Sequence, residues 1–79
     1  MLTIKTLTGE IMQYGIVKNW DSSRGYGFIV TDDDEDIFVN IIDLDITIKK
    51  RGLLEGDRVS FDVRSDLKGE KAINVRIAH

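Results

Sequence analysis

The stretch RVSFDVRS, residues 58–65, alternates without a break: Val59, Phe61 and Val63 fall on one side, and Arg58, Ser60, Asp62 and Arg64 on the other. A period of two is the signature of an extended strand with one buried face. KAINVRI at 71–77 carries the same phase through Ile73, Val75 and Ile77. Three further β-favouring runs precede these, YGIVKNW (14–20), GYGFIVT (25–31) and IFVNII (37–42). DSSRG separates the first two, and the acidic run DDDED makes a charged hairpin tip between the second and third, which also blunts edge pairing. No segment sustains a helical period, and there is no internal repeat. Short strands punctuated by turns predict a small all-β barrel or sandwich. The connection 43–56 holds KKRG and LLEGD, and DLDI within it is expected to form one helical turn. At 79 residues the chain makes a single domain with a modest core. Residues 1–13 are read as an N-terminal extension, an extra strand or hairpin turning at TGE or else a mobile arm, ahead of a domain spanning 14–79.

What the chain lacks narrows the function classes. It has no cysteine, so disulfides, thiolate nucleophiles and cysteine-based zinc sites are excluded. Its one histidine, His79, is the last residue and is expected to be mobile. There is no nucleophile elbow and no phosphate-cradling glycine loop, so neither an enzyme nor a cofactor is expected. Asp32, Asp34 and Asp36 have the spacing of a calcium loop, but Ile37 and Asp43 stand where its glycine and glutamate belong, so no metal site is read there. The start MLTIKTLTGE lacks the apolar core of a signal peptide, and no run approaches a membrane span. A cytoplasmic protein without a membrane partner is expected.

The formal net charge of −3 does not advertise a polyanion partner. Five of the fourteen acids, however, lie in the run 32–36, and the remainder of the chain is mildly basic, with eleven cations against nine anions. A basic face can therefore coexist with an acidic tip.

The aromatics decide where that face lies. Val17, Ile29, Ile37, Val39, Ile41, Val59, Phe61, Val63, Ile73 and Val75 are enough to fill an aliphatic interior. The strand phase that buries them turns Tyr26, Phe28 and Phe38 outward. Three outward rings on adjacent strands, flanked by Lys18 and Arg24, form a stacking platform with a cationic margin. Single-stranded nucleic acid suits such a surface, because every base has a face to stack and a phosphate to neutralise. Gly25 and Gly27 admit two readings, close approach of bases to the strand or a bulge and strong barrel curvature. Lys49, Lys50 and Arg51 are read as surface loop charges, with phosphate contact as the lesser alternative, and Phe61 as packing.

RGYGFIV (24–30) resembles the first RNA-binding motif of the bacterial cold-shock proteins, and IFVNI (37–41) resembles their second. GIVK precedes the first motif, and LLEGD (53–57), VSFDV (59–63), KG (68–69) and NV (74–75) follow in the family's order. The resemblance runs from about Gly15 to Ile77. It implies a five-stranded antiparallel barrel of the oligonucleotide-binding (OB) type that takes single-stranded RNA and DNA, with RNA chaperoning or control of transcription or translation as the associated role. The departures are specific. Asn19 stands where a stacking tryptophan is usual, and Trp20, one place on, is expected to take over part of the platform. Asn40 replaces the second motif's histidine, where it would hydrogen-bond a base edge or the backbone, and Ile41 replaces a phenylalanine. The later loop aromatic is absent near Ile48 and Lys49, and Glu70 replaces a proline. One base stack is worth ~1–3 kcal/mol, so the loss of two or three rings with nothing to compensate costs a few kcal/mol, more than ~100-fold. A binding surface that persists with lower affinity or a shorter footprint than the family norm is expected. The competing expectation is a protein-interaction module that kept the barrel, with residues 1–13 joining two copies into a homodimer.

Overall fold

The computed structural model of the chain describes residues 12–78, the side chain of Asp66 excepted. The expectations for the N-terminal extension up to residue 11, and for His79, lie outside the described residues. Five strands, β1 (Gln13–Asp21), β2 (Tyr26–Thr31), β3 (Asp36–Asn40), β4 (Arg58–Asp66) and β5 (Gly69–Ile77), close into a barrel in the order β1-β2-β3-β5-β4. Four neighbouring pairs are antiparallel, and the seam between β3 and β5 is a short parallel one in which Phe38 faces Lys71 and Val39 faces Ala72. Because β1 pairs with β2 along one edge and β4 along the other, Gly15 has both Thr31 and Val59 as partners. Closure leaves no full-length edge for another chain to extend.

The helical turn expected at DLDI is corrected. A 3-10 turn at Ile41–Asp43 and a one-turn helix α1 at Ile46–Lys49 flank that segment, with Leu44 extended between them. The caps explain the division. The Asn40 side chain accepts from the Ile42 N–H at the first turn, and the Asp45 carboxylate accepts from the Thr47 N–H at the second. Leu44, freed from either helix, bridges to Val75 and is buried.

The core holds Val17, Ile29, Ile37, Val39, Val59, Phe61 and Val75 as read from the alternation. Ile73 is a correction: it is only half-buried, and Ala72 is the fully buried residue beside it. Asn74 adopts φ 52, and the β4–β5 register shifts between Ser60 and Asp62. The bulge adds one residue to β5 and moves its phase, so Ala72 and Val75 point inward although three apart. Ile41 and Val63 pack at the margin of the core with Trp20 and Ile77. Leu44, Ile48 and Leu53 complete it from the long connection. Arg51, expected as a loop surface charge, instead holds that connection together. Its guanidinium donates to both carboxylate oxygens of Asp57, at 3.2 and 3.0 Å, and to the Gly52 carbonyl at 2.8 Å.

The acidic hairpin tip folds around Thr31, whose hydroxyl accepts from the N–H groups of Asp33 and Glu35. Two of its acids are committed to cations elsewhere: Asp32 to Arg58, and Asp36 to Lys18.

Candidate nucleic-acid interface

The strand register assembles two lines of side chains on the outer face. In one, Asn19 of β1 stands opposite Phe28 of β2, which stands opposite Phe38 of β3, which stands opposite Lys71 of β5. In the other, Asp21, Tyr26 and Asn40 face one another across β1, β2 and β3. Directly opposed residues share a face and lie about 5 Å apart. The rings therefore touch: Phe28 meets Phe38 edge to face with centroids 5.8 Å apart, and Tyr26 meets Phe38 at the same distance with planes tilted by 39°. Phe28 is 37% exposed, while Tyr26 and Phe38 are half-buried by each other. Rings packed in this way are held in place before any ligand arrives, so a stacking base meets a rigid surface.

Gly27 makes this arrangement possible from behind. It sits on the inner side, opposite Trp20 and Val39. A Cβ at Gly27 would lie 2.2 Å from the Asn19 carbonyl oxygen. Bareness here lets β1 cross closely over β2, which is the curvature reading. Gly25 has φ 77 in the turn that brings β2 back, and its N–H donates to the Asp21 carbonyl at 2.7 Å.

Trp20 lies apart from the rings. A bulge between Val17 and Asn19 inserts Lys18 as an extra residue in β1, so Asn19 takes the outward place and Trp20 the inward one. Its indole packs against the core margin and over Gly52, where an added Cβ would come within 3.0 Å of Nε1. The residue that occupies the platform line at β1 is Asn19, and it is exposed.

The cations at the margin are each held by an aspartate. Lys18 Nζ lies 2.9 Å from Asp36 Oδ2, with both side chains about half exposed. Arg24 Nη1 donates to the Tyr26 hydroxyl at 3.3 Å, and its Nε lies 3.8 Å from Asp21 Oδ2. The Tyr26 hydroxyl, followed by Asp21, raises the Arg24 pKa. Asp21 also accepts from the Ser23 hydroxyl and the backbone N–H groups of Ser23 and Arg24, which hold its carboxyl below the usual carboxylate range. Asn40 spends its carbonyl oxygen on the Ile42 N–H at 3.0 Å and keeps its amide donors for other partners.

One residue of this face was missed by sequence reasoning. Lys71 lies beside Phe38, with its ammonium 3.4 Å from Asp43 Oδ2, an oxygen that is buried without a hydrogen-bond partner. A cleft of about 430 Å³ opens there, lined by Phe38, Lys68, Gly69, Glu70 and Lys71. Only the parallel β3–β5 seam brings these residues together, and no spacing within either strand signals it.

A closed five-stranded barrel with a ring-bearing outer face on β2 and β3 defines a small domain of the oligonucleotide-binding class. The chain belongs to the cold-shock domain family: the model of the 'cold-shock' DNA-binding domain matches residues 13–78. That family is one of nucleic-acid-binding domains. Among similar proteins, a cold shock-like protein of Aquifex aeolicus is 42% identical over 64 residues, covering 80% of this chain and 90% of its own. The cold shock protein CspC of Bacillus subtilis is 37% identical over 67 residues, covering 85% of this chain and 100% of its own. Cold shock protein 1 of Lactiplantibacillus plantarum is 39% identical over 64 residues, covering 81% and 96%. No helix among the described residues is long and apolar enough to cross a membrane.

Proposed function

We propose that the chain captures single-stranded RNA or DNA on the outer face of β1–β3, stacking bases on Tyr26, Phe28 and Phe38. The contact of three rings on a solvent face carries the reading, because apolar rings held at the surface cost solvation that buried rings would not. Lys18 and Arg24 meet phosphates after exchanging their aspartate partners, and Asn40 offers its amide donors to a base edge. Trp20 contributes from beneath, by supporting β1 behind Asn19. Capture of unpaired strands shifts RNA away from hairpins without an energy source, since a ligand of the open form stabilises it by mass action. This fits an RNA chaperone, or a regulator of transcription or translation, working in the cytoplasm without a cofactor or catalytic step. Fluorescence anisotropy of labelled oligo-dT and oligo-U tests the reading. Micromolar or tighter binding that falls with salt and is lost in Tyr26→Ala/Phe28→Ala supports it; full-strength binding by that double variant removes it.

A second reading has its own observation. Met12, just before β1, and Tyr14 and Ile16 within it are 43, 42 and 40% exposed and alternate along the chain, next to the extension. That stripe supports a homodimer joined through the N-terminal residues. Sedimentation of the full chain and of a chain lacking residues 1–11 decides it, and a monomer in both ends the dimer reading.

A further inference from the structure

The line of side chains that begins at Asn19 does not end at Lys71. In the β4–β5 register Lys71 stands opposite Arg64, so Phe28, Phe38, Lys71 and Arg64 follow one another across β2, β3, β5 and β4. Neighbouring strands lie about 4.8 Å apart, which puts Arg64 roughly 10 Å beyond Phe38 along the line, on the same outer face. The 430 Å³ cleft opens beside Phe38 and Lys71. Two stacking positions thus pass directly into two cationic ones.

Those two cations differ in what holds them. Lys71 is 27% exposed and tethered by Asp43, so its charge is fixed at the mouth of the cleft. Arg64 is exposed, and its side chain makes no ion pair or hydrogen bond with the described residues. Lys18, Arg24, Arg51 and Arg58 each have an aspartate that a phosphate would have to displace. Asp62, the acid two places before Arg64 on β4, is engaged by the Asn74 amide at 3.1 Å. A planar guanidinium matches two oxygens of a phosphate at once, which an ammonium does not.

From this alignment, and resting on the nucleic-acid reading above, we infer that the bound strand crosses the β3–β5 seam onto β4, where Arg64 binds a backbone phosphate next to Lys71. The bases lie on the rings of β2 and β3, and the next phosphate along the strand reaches Arg64. Arg64 is then a contact of the binding face that adds electrostatic affinity without reading sequence.

The salt dependence of oligo-dT binding, followed by anisotropy, tests this. For Arg64→Ala the slope of log K against log salt falls in size by about 0.7, the value for one phosphate contact on a single strand. Affinity drops several-fold at low salt, and the loss narrows as salt rises. Arg64→Lys keeps the slope, because the charge remains. Arg76→Ala, which removes an exposed arginine of β5 outside this line, leaves the slope unchanged and controls for net charge. Circular dichroism checks that each variant is folded. A wild-type slope for Arg64→Ala overturns the inference, as does an equal change for Arg76→Ala. If Phe28→Ala still weakens binding in either case, the ring platform stands and only its extension onto β4 falls. If Phe28→Ala has no effect, the nucleic-acid reading itself has failed.

Discussion

Phe28 and Phe38 stand directly opposite one another on β2 and β3, edge to face at 73°, with centroids 5.8 Å apart. Each ring holds the other in the orientation it presents to solvent. Replacing either by alanine is expected to weaken oligo-dT binding by about 1–3 kcal/mol, or roughly 5- to 150-fold. In the double variant the losses sum to less than the two singles, because each single already frees the partner ring. Anisotropy titrations on the four proteins of the cycle measure this.

Asn19 occupies the β1 end of the same line, exposed and opposite Phe28. Asn19→Trp would set a third ring plane beside Phe28 and Phe38. Binding should tighten by about 1–3 kcal/mol, with stability little changed, since the site is at the surface. An unchanged affinity in the same titration would show that the bound strand does not reach β1.

Gly27 lies beneath the rings, where an added Cβ would press on β1 backbone at 2.2 Å from the Asn19 oxygen and 2.9 Å from Trp20 Cα. Backbone yields less readily than a side-chain tip. Gly27→Ala is expected to cost about 1–3 kcal/mol by overpacking, read as a lower urea midpoint. Binding should weaken with it, since β1 and the platform line move together.

Asp36 holds Lys18 at 2.9 Å in an exposed pair, and such pairs contribute about 0–1 kcal/mol. Asp36→Asn should therefore leave the urea midpoint nearly unchanged while freeing Lys18. Oligonucleotide affinity at low salt rises modestly, while the salt slope stays close to wild type, because Lys18 meets the same phosphate in both proteins. An unaltered affinity at low salt would place Lys18 outside the phosphate path.

Three carboxyls are held below their ordinary value of 3.8: Asp21 chiefly by the Ser23 hydroxyl, Asp32 by the Arg58 guanidinium, and Asp45 by Thr47. A carboxyl whose pKa is lower in the folded state gives stability that is complete above the unfolded value. That stability is lost as pH falls through the folded value. Thermal stability should thus hold from neutral pH down to about 4 and decline below it, because these groups bind protons more readily unfolded. Asp32→Asn removes the part due to Arg58, and the decline below pH 4 becomes shallower in thermal melts.

Much of the barrel was legible because alternation reports burial directly. Val59, Phe61 and Val63 fixed the phase of β4, and Ile37 and Val39 that of β3. Departures from simple alternation cluster where one residue breaks the count. Asn74 in the left-handed region moved β5 by one place and exchanged Ile73 for Ala72. Lys18, the extra residue of the β1 bulge, sent Asn19 outward and Trp20 inward. Leu44, Ile48 and Leu53 belong to a connection without regular period, so nothing in their spacing announced that they are core.

The sequence by itself determined that Tyr26, Phe28 and Phe38 face solvent, because the aliphatic residues of the same strands already fill the interior. It also determined the family, through the ordered set of short segments from Gly15 to Ile77. Tertiary structure alone decided what stands next to the rings. Barrel closure joins β3 to β5 in parallel and β5 to β4, placing Lys71 and Arg64 in line with Phe28 and Phe38. Side-chain period is a property of one strand, whereas lateral order depends on how all five strands close. A platform is a lateral object, so its rings could be read from the chain and its far end could not.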